Sequence, residues 1–353
     1  MIGLRVVAAA LFSLLVGMSA YAQTGFVAAN LRAGESVNGF PNWAERVLHE
    51  WINRARVDPK ADLAKCGAGC LEAACYAPMP PIGWSEALNH SARYHAAEML
   101  NQRYFGHDSK CTIVRGIDKL YPAGCDGSAS CGCIGGAIGC WSAGCTPWAE
   151  RIMLFSAAPA GEIIASPGDP NQAFYLWLYE AAASNACGYS AANGHRYLIL
   201  TQQSSVGLGV VDGYAVGDFG SGDAPYRIPS GSHYPRQAQS VDLWANWYDA
   251  KAPKSAAAVV DGVCVTMNLK RGTSTNGAWT ATTNKVGSGC HRYYFSFVDS
   301  TGAVVTYPAT GSLGIGSGAS CPDWDSTRLN SSCSAVTPRP PPTVPGRRRS
   351  ARH

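Results

Sequence analysis

Several things are missing from this 353-residue chain, and each absence removes a function class. After Ala22 no apolar run approaches the roughly 20 residues needed to span a bilayer. There is no Cys-x-x-Cys pair, only Cys131-Gly-Cys133 and wider gaps, so the spacing of a structural zinc site is absent. There is no Gly-x-Ser-x-Gly elbow and no glycine-rich phosphate loop ending in Lys. His49-Glu50-Trp51-Ile52-Asn53 falls one ligand short of the zinc-protease His-Glu-x-x-His, because Asn53 stands where the second His should be. No basic face is left either. The formal charge is +4, but six of the 28 basic residues are Arg5 and the five arginines of the tail. The rest of the chain has 22 basic against 24 acidic residues, which is no nucleic-acid-binding surface.

What is present points to export. Met1–Ala22 reads as a signal peptide: Arg5, an apolar Val6–Val16 core, and Ala20-Tyr21-Ala22 as a small-x-small cleavage site. The expected location is secreted, extracellular or periplasmic. Fourteen cysteines after such a segment read as disulfides, ten between Cys66 and Cys187 and four from Cys264 to Cys333. Both counts are even, so two separately stapled units and no free thiol are expected. In the second unit the expected bridges are Cys264–Cys290 and Cys321–Cys333.

The chain divides by pattern. Residues 23–40 read as a loose arm. Pro41–Arg56 is an amphipathic helix with Trp43, Val47, Trp51, Ile52 and Ala55 at helical spacing, stopped by Asp58-Pro59. Ser85 caps a second helix whose stripe is Leu88, Ala92, Ala96, Met99 and Leu100, with Gly106 expected to supply its C-terminal turn. His90 and His95 lie five apart, off a shared face, as one surface and one packed histidine. Residues 111–145 hold six cysteines and few large apolar residues, a disulfide-stapled insertion. Helices follow at Pro147–Leu154 and Asn171–Ala183, then strands at Tyr197–Gln203, Val206–Val211 and Tyr214–Phe219, the last two joined by an Asp212-Gly213 hairpin. Residues 221–239 read as a linker. Residues 240–335 read as a small β-sandwich, with Tyr293, Phe295 and Phe297 facing inward and residues 237–335 expected to fold alone. Residues 336–353 form a Pro- and Arg-rich disordered tail.

Residues 41–220 resemble a CAP (SCP) domain, the superfamily of cysteine-rich secretory proteins, antigen 5 and plant pathogenesis-related proteins. The resemblance rests on an ordered set of pieces. These are Asn53-Arg54-Ala55-Arg56, Pro81-Ile82-Gly83-Trp84-Ser85, Phe105-Gly106-His107, Glu150-Arg151-Ile152, Gly161-Glu162-Ile163-Ile164-Ala165, Gly194-His195-Arg196 and Val206-Gly207-Leu208-Gly209-Val210. It implies an α+β fold, a CAP-type α-β-α sandwich, here followed by a small all-β immunoglobulin-like sandwich. It also implies a cleft presenting two His and two Glu. His107, Glu162 and His195 match three of these by motif, and Glu180 is the candidate for the fourth. Ile163 departs from the Asn the family usually has there.

Two imidazoles and two carboxylates can bind a divalent ion such as zinc, act as an acid–base pair, or satisfy one another. The resulting expectation is a secreted, non-enzymatic binding module whose His107, His195, Glu162 and Glu180 can hold zinc or another divalent metal. Its partner would be a lipid, protein or glycan ligand, with no nucleic acid and no membrane span. The alternatives are a metal-dependent, protease-like hydrolase with Glu162 and His195 as catalytic candidates, and a structural or adhesive envelope protein.

Overall fold

The computed structural model describes residues 41–330 and 333, except 111, 122–126, 128–144, 167–168, 182–183, 223–224, 226, 285, 288 and 317–319. The signal segment, the arm, the tail and most of the cysteine-rich insertion lie outside the described residues.

The first half is helical around one sheet. Its elements are α1 (Trp43–Val57), α2 (Pro59–Leu63), β1 (Gly83–Trp84), α3 (Glu86–Gln102), α4 (Ile117–Leu120), α5 (Trp148–Leu154), β2 (Pro159–Ala165), α6 (Pro170–Leu178), α7 (Gly194–Leu200), β3 (Ser205–Val211) and β4 (Tyr214–Gly220). The sheet order is β1-β3-β4-β2, with β1 parallel to β3 and the other pairs antiparallel. α1 starts at a capping box: the Asn42 side chain accepts from Glu45 N–H and the Glu45 carboxylate accepts from Asn42 N–H. Its apolar stripe packs with Ile163, Phe174, Trp177, Val206 and Leu208 in one core. The β3–β4 hairpin turns at Asp212 and Gly213, both at positive φ, as the Asp-Gly pair predicts. α3 lies directly on β3. A Cβ on Gly207 would stand 1.9 Å from Asn89 N, and one on Gly209 2.2 Å from Arg93 N, so no other residue fits either place.

Three local expectations are corrected here. Tyr197–Gln203, read as a strand, is mostly the helix α7; a short apolar run does not distinguish the two, and burial of Arg196 and Ile199 decides it. α3 ends three residues earlier than Gly106, with Arg103 taking the left-handed C-cap conformation at φ 53°. The sixth helix likewise stops at Leu178 rather than Ala183.

The second half is all β: β5 (Gly231–Tyr234), β6 (Val241–Tyr248), β7 (Ser255–Val260), β8 (Val263–Thr266), β9 (Asn268–Gly272), β10 (Asn276–Thr283), β11 (His291–Val298), β12 (Val304–Tyr307), β13 (Ser312–Ile315) and β14 (Trp324–Asp325). One sheet runs β5-β6-β10-β9 and the other β14-β13-β11-β7-β8, with β12 also paired to β11. Tyr293, Phe295 and Phe297 are fully buried between them with Trp247. The bridges are Cys264–Cys333 and Cys290–Cys321, not the expected pairs, because the sheets bring strand ends together irrespective of order along the chain. In the first half Cys66 pairs with Cys70 and Cys75 with Cys187. Cys145 carries no disulfide among the described residues, against the expectation of no free thiol.

The stretch 221–239 is no loose linker. It contains β5, an edge strand of the second half whose Ser232 and His233, with Ser230 just before it, are buried against α1. Trp43 Nε1 donates to His233 O (2.9 Å), and Asn53 Nδ2 donates to Ser230 Oγ (3.0 Å). Glu50 accepts from Ser230 Oγ (2.7 Å) and Asn246 Nδ2 (2.8 Å). The Trp43 ring stacks on Tyr234, and Trp51 meets Trp244 edge-on. His49, Glu50 and Asn53, the abortive zinc-protease pattern, are therefore seam residues. β5 escaped notice because Gly-Ser-His-Tyr has no apolar alternation and is buried by hydrogen bonds.

A candidate His–Glu cleft

His107 sits on the loop after α3, and Glu162 in the middle of β2. The strand's alternation puts Ile163 into the core on one face and Glu162 on the other, which accounts for the departure from Asn: the position is apolar core here. His107 Nδ1 lies 2.9 Å from Glu162 Oε1, with the His side chain 45% exposed and the Glu side chain 1% exposed. Behind them Arg151, fully buried on α5, donates through Nη2 to Glu162 Oε2 and through Nη1 to His107 O (3.0 Å) and Ser109 Oγ (3.0 Å). One guanidinium thus fixes both members of the pair.

Glu180 and His195 form the second pair, with His195 Nδ1 at 2.8 Å from Glu180 Oε1. The other oxygen of Glu180 accepts the backbone N–H of His195 (2.8 Å) and Arg196 (3.3 Å), so it closes the N-terminus of α7 while it orients the ring that helix carries. Arg196 pins the same corner. Its side chain is fully buried, bonded to Glu72 and to the carbonyls of Leu178 and Glu180.

The fold brings the two pairs together: the His107 and His195 ring centres lie 6.5 Å apart, inclined at 50°. Beside them opens a cleft of about 590 Å³ whose walls include His107, Glu162, Trp148, Tyr189, Tyr197 and Gln203. Each imidazole uses Nδ1 on its own carboxylate. This is the outer-shell arrangement that leaves Nε2 as the ligand nitrogen. Two imidazoles on one tetrahedral ion, at about 2.1 Å per metal–nitrogen bond, would hold their ring centres about 5 Å apart. The rings here must close by about 1.5 Å to share an ion. Among the described residues no three His, Cys, Asp or Glu side chains are grouped to hold a metal. As placed, the two rings do not share an ion; the donors they offer one are the two Nε2 atoms, while Glu162 and Glu180 are bonded to Nδ1 of each ring.

Beneath the cleft lies a carboxyl that reading by sequence did not single out. Asp218 on β4 is the cross-strand partner of Glu162 and fully buried. Burial, and then the negative charge of Glu162, push its acid well above the usual range, against the pull of Arg151, so it stays neutral. For Glu162, burial alone would raise the acid. The Arg151 charge outweighs burial, His95 and the hydrogen bond from His107 add to it, and the carboxyl falls to about 2. The signal for Asp218 was a lone Asp alternating into the buried face of Tyr214–Gly220; Arg151 lay within Glu150-Arg151-Ile152 but carried no assigned role. His95 is packed against Glu98 and Gly106 O, and half-buried His90 reaches Glu86.

Among the described residues no helix is long and apolar enough to cross a membrane. No curated protein matches the chain. A solved structure of an extracellular protein containing an SCP domain, from Bacillus anthracis, is similar at 21% identity over 41% of this chain and 35% of that one, with a TM-score of 0.26. The chain thus spans about a third of that protein's length. The model of the cysteine-rich secretory protein family, CAP, matches residues 49–223, a span that runs from α1 through β4 and contains both His–Glu pairs. Residues 49–223 are thus a domain of the CAP family.

Proposed function

We propose that the protein is a secreted, non-enzymatic binding module whose ligand site is the His–Glu cleft, and that His107 and His195 can hold a divalent ion there. One observation carries the reading: both imidazoles present the same nitrogen to a dedicated carboxylate, which leaves Nε2 of each for an external partner. When bound, such an ion would supply a positive centre able to polarise a ligand oxygen. The chain's own residues do the rest. Glu162 and Glu180 fix the ring orientations, and Arg151 holds Glu162 in place. The hydrolase alternative is less favoured, since a carboxylate held near 2 by a buried guanidinium is a weak base at neutral pH. Secretion is supported by the four disulfides of the described residues and by the family.

Calorimetric titration of zinc into the full chain at neutral pH tests this. One site per chain is expected, weakened on acidification because protonated imidazole does not ligate. A His107→Ala, His195→Ala double variant of unchanged circular dichroism should show none. Site-specific heat that survives in the double variant would overturn the assignment.

A further inference from the structure

The cleft beside the two pairs has a chemical character of its own. Three of its walls are aromatic: Trp148 at the start of α5, Tyr189 on the loop before α7, and Tyr197 within α7. Tyr189 is 68% exposed and meets Tyr197 edge-on at 5.8 Å between ring centres, so neither ring is spent on the core. Most exposed large side chains of a secreted protein are scattered singly; here the exposed ring stands in a concave wall next to two others. The phenol hydroxyls of Tyr189 and Tyr197 and the side-chain amide of Gln203 make no hydrogen bond among the described residues, which leaves donors and acceptors beside the rings.

Charge narrows the choice. Glu162 is neutralised by Arg151, whereas His107 and His195, neutral in the Nδ1–H form, only hydrogen-bond to their carboxylates. Asp108 spends one carboxylate oxygen on Trp148 N–H (3.0 Å) at the start of α5. The uncancelled carboxylate charge turns away an anionic ligand, and the remaining Asp108 oxygen adds an acceptor for hydroxyls. An acyl chain or sterol calls for a continuous aliphatic wall, and only Ala160 and Leu198 supply aliphatic carbon here. A ligand with apolar C–H faces, many hydroxyls and no net charge fits aromatic faces interleaved with neutral polar groups. The volume, about 590 Å³, is in the usual range for small-molecule sites of about 300–1,000 Å³ and has room for about two or three sugar rings.

We propose that the cleft binds a neutral oligosaccharide, with one pyranose ring laid on Tyr189, Trp148 and Tyr197 completing the wall, and Gln203 and His107 bonding ring hydroxyls. This rests on the reading of the cleft as a ligand site and adds the ligand's chemical class. It does not require the ion: the aromatic wall and the imidazole pair are separable.

The test uses the full chain and three neutral trisaccharides (cellotriose, chitotriose and maltotriose), with palmitate and trilysine as probes of two competing chemistries. Ligand-observed NMR followed by calorimetry should find saturable binding of at least one trisaccharide and none of trilysine. Tyr189→Ala should weaken that binding about tenfold and Tyr189→Phe by much less, since stacking is kept. Both variants should bind zinc like the parent, because Tyr189 makes no hydrogen bond and no ring contact with either His–Glu pair. No trisaccharide binding at about 10 mM, equal binding by Tyr189→Ala, or displacement of the sugar by palmitate would each overturn the proposal. Loss of sugar binding with zinc binding intact would count against the oligosaccharide alone. Sugar binding without zinc binding would count against the ion alone.

Discussion

At the scale of single residues, the cleft was legible where a motif fixes a side chain and hidden where only the fold does. His107, Glu162 and His195 stood next to Gly-containing motifs of recognisable order. Glu180 had no motif, yet it lies one hydrogen bond from His195 because the chain between them folds back through the Cys187 loop. Arg151 and Asp218 take their meaning from contacts to Glu162 that no local spacing reveals. The pair has a measurable consequence. Removing the cation in Arg151→Met leaves Glu162 buried beside Asp218 without compensation, a loss of about 3–5 kcal/mol in urea unfolding at pH 7. Acidification should shrink that difference. The Glu162 acid is depressed in the fold, so its contribution is full above about 4.5 and disappears as pH falls toward about 2. An Arg151→Met variant as stable as the parent at pH 7 would contradict the geometry.

At the scale of elements, apolar periodicity gave the long helices and the β3–β4 hairpin and failed on short pieces. α7 and β5 were misread for one reason: their position is decided by partners far away in sequence. α7 is closed by the Glu180 carboxylate, and β5 is held by Glu50 and Asn53 of α1 through Ser230. The alternate glycines of β3 are the reverse case, a local pattern with a tertiary cause. Gly209→Ala would place a methyl 2.2 Å from the Arg93 nitrogen, against backbone that cannot yield without lifting α3 from the sheet. Such overpacking costs about 1–3 kcal/mol or more. Thermal unfolding should show the loss, whereas Gly106→Ala, where a Cβ meets nothing within 4 Å, should be nearly silent.

At the scale of the molecule, the two halves meet through buried titratable groups, so the seam should have its own pH dependence. Burial lowers His49 to about 4, against its bond to Ile82 O, and lowers His233 to about 3, against its bond to Arg236 O. Below about 6.5 the unfolded chain protonates both while the fold does not, and stability falls with acid. Burial raises Glu50 to about 8, against the hydrogen bonds from Ser230 and Asn246 and the charge of Arg54. Between about 4.5 and 8 the unfolded chain ionises this acid and the fold does not, so stability falls as pH rises, by about 1.4 kcal/mol per unit. From 4.5 to 6.5 the two histidines outweigh the one acid, which places the optimum of these groups near pH 6.5. Glu50→Gln should flatten the decline between pH 6.5 and 8 in a denaturation series; an unchanged decline would count against a neutral Glu50. The same seam accounts for the misplaced domain boundary. A chain starting at residue 237 lacks β5, and composition alone, rich in Pro, Gly and Ser, gave no sign that this stretch is half of an interface.

The central claim is that two imidazoles from distant parts of the chain are set by their own carboxylates with Nδ1 protonated and Nε2 bare. Long-range proton–nitrogen NMR of the histidine side chains, at a pH above the imidazole range and before and after zinc, reads this directly. The structure predicts that His107 and His195 are both Nδ1–H tautomers and that zinc moves their Nε2 resonances ahead of those of the other histidines. Either ring found as the Nε2–H tautomer, or zinc shifting other histidines while these two stay still, would contradict it.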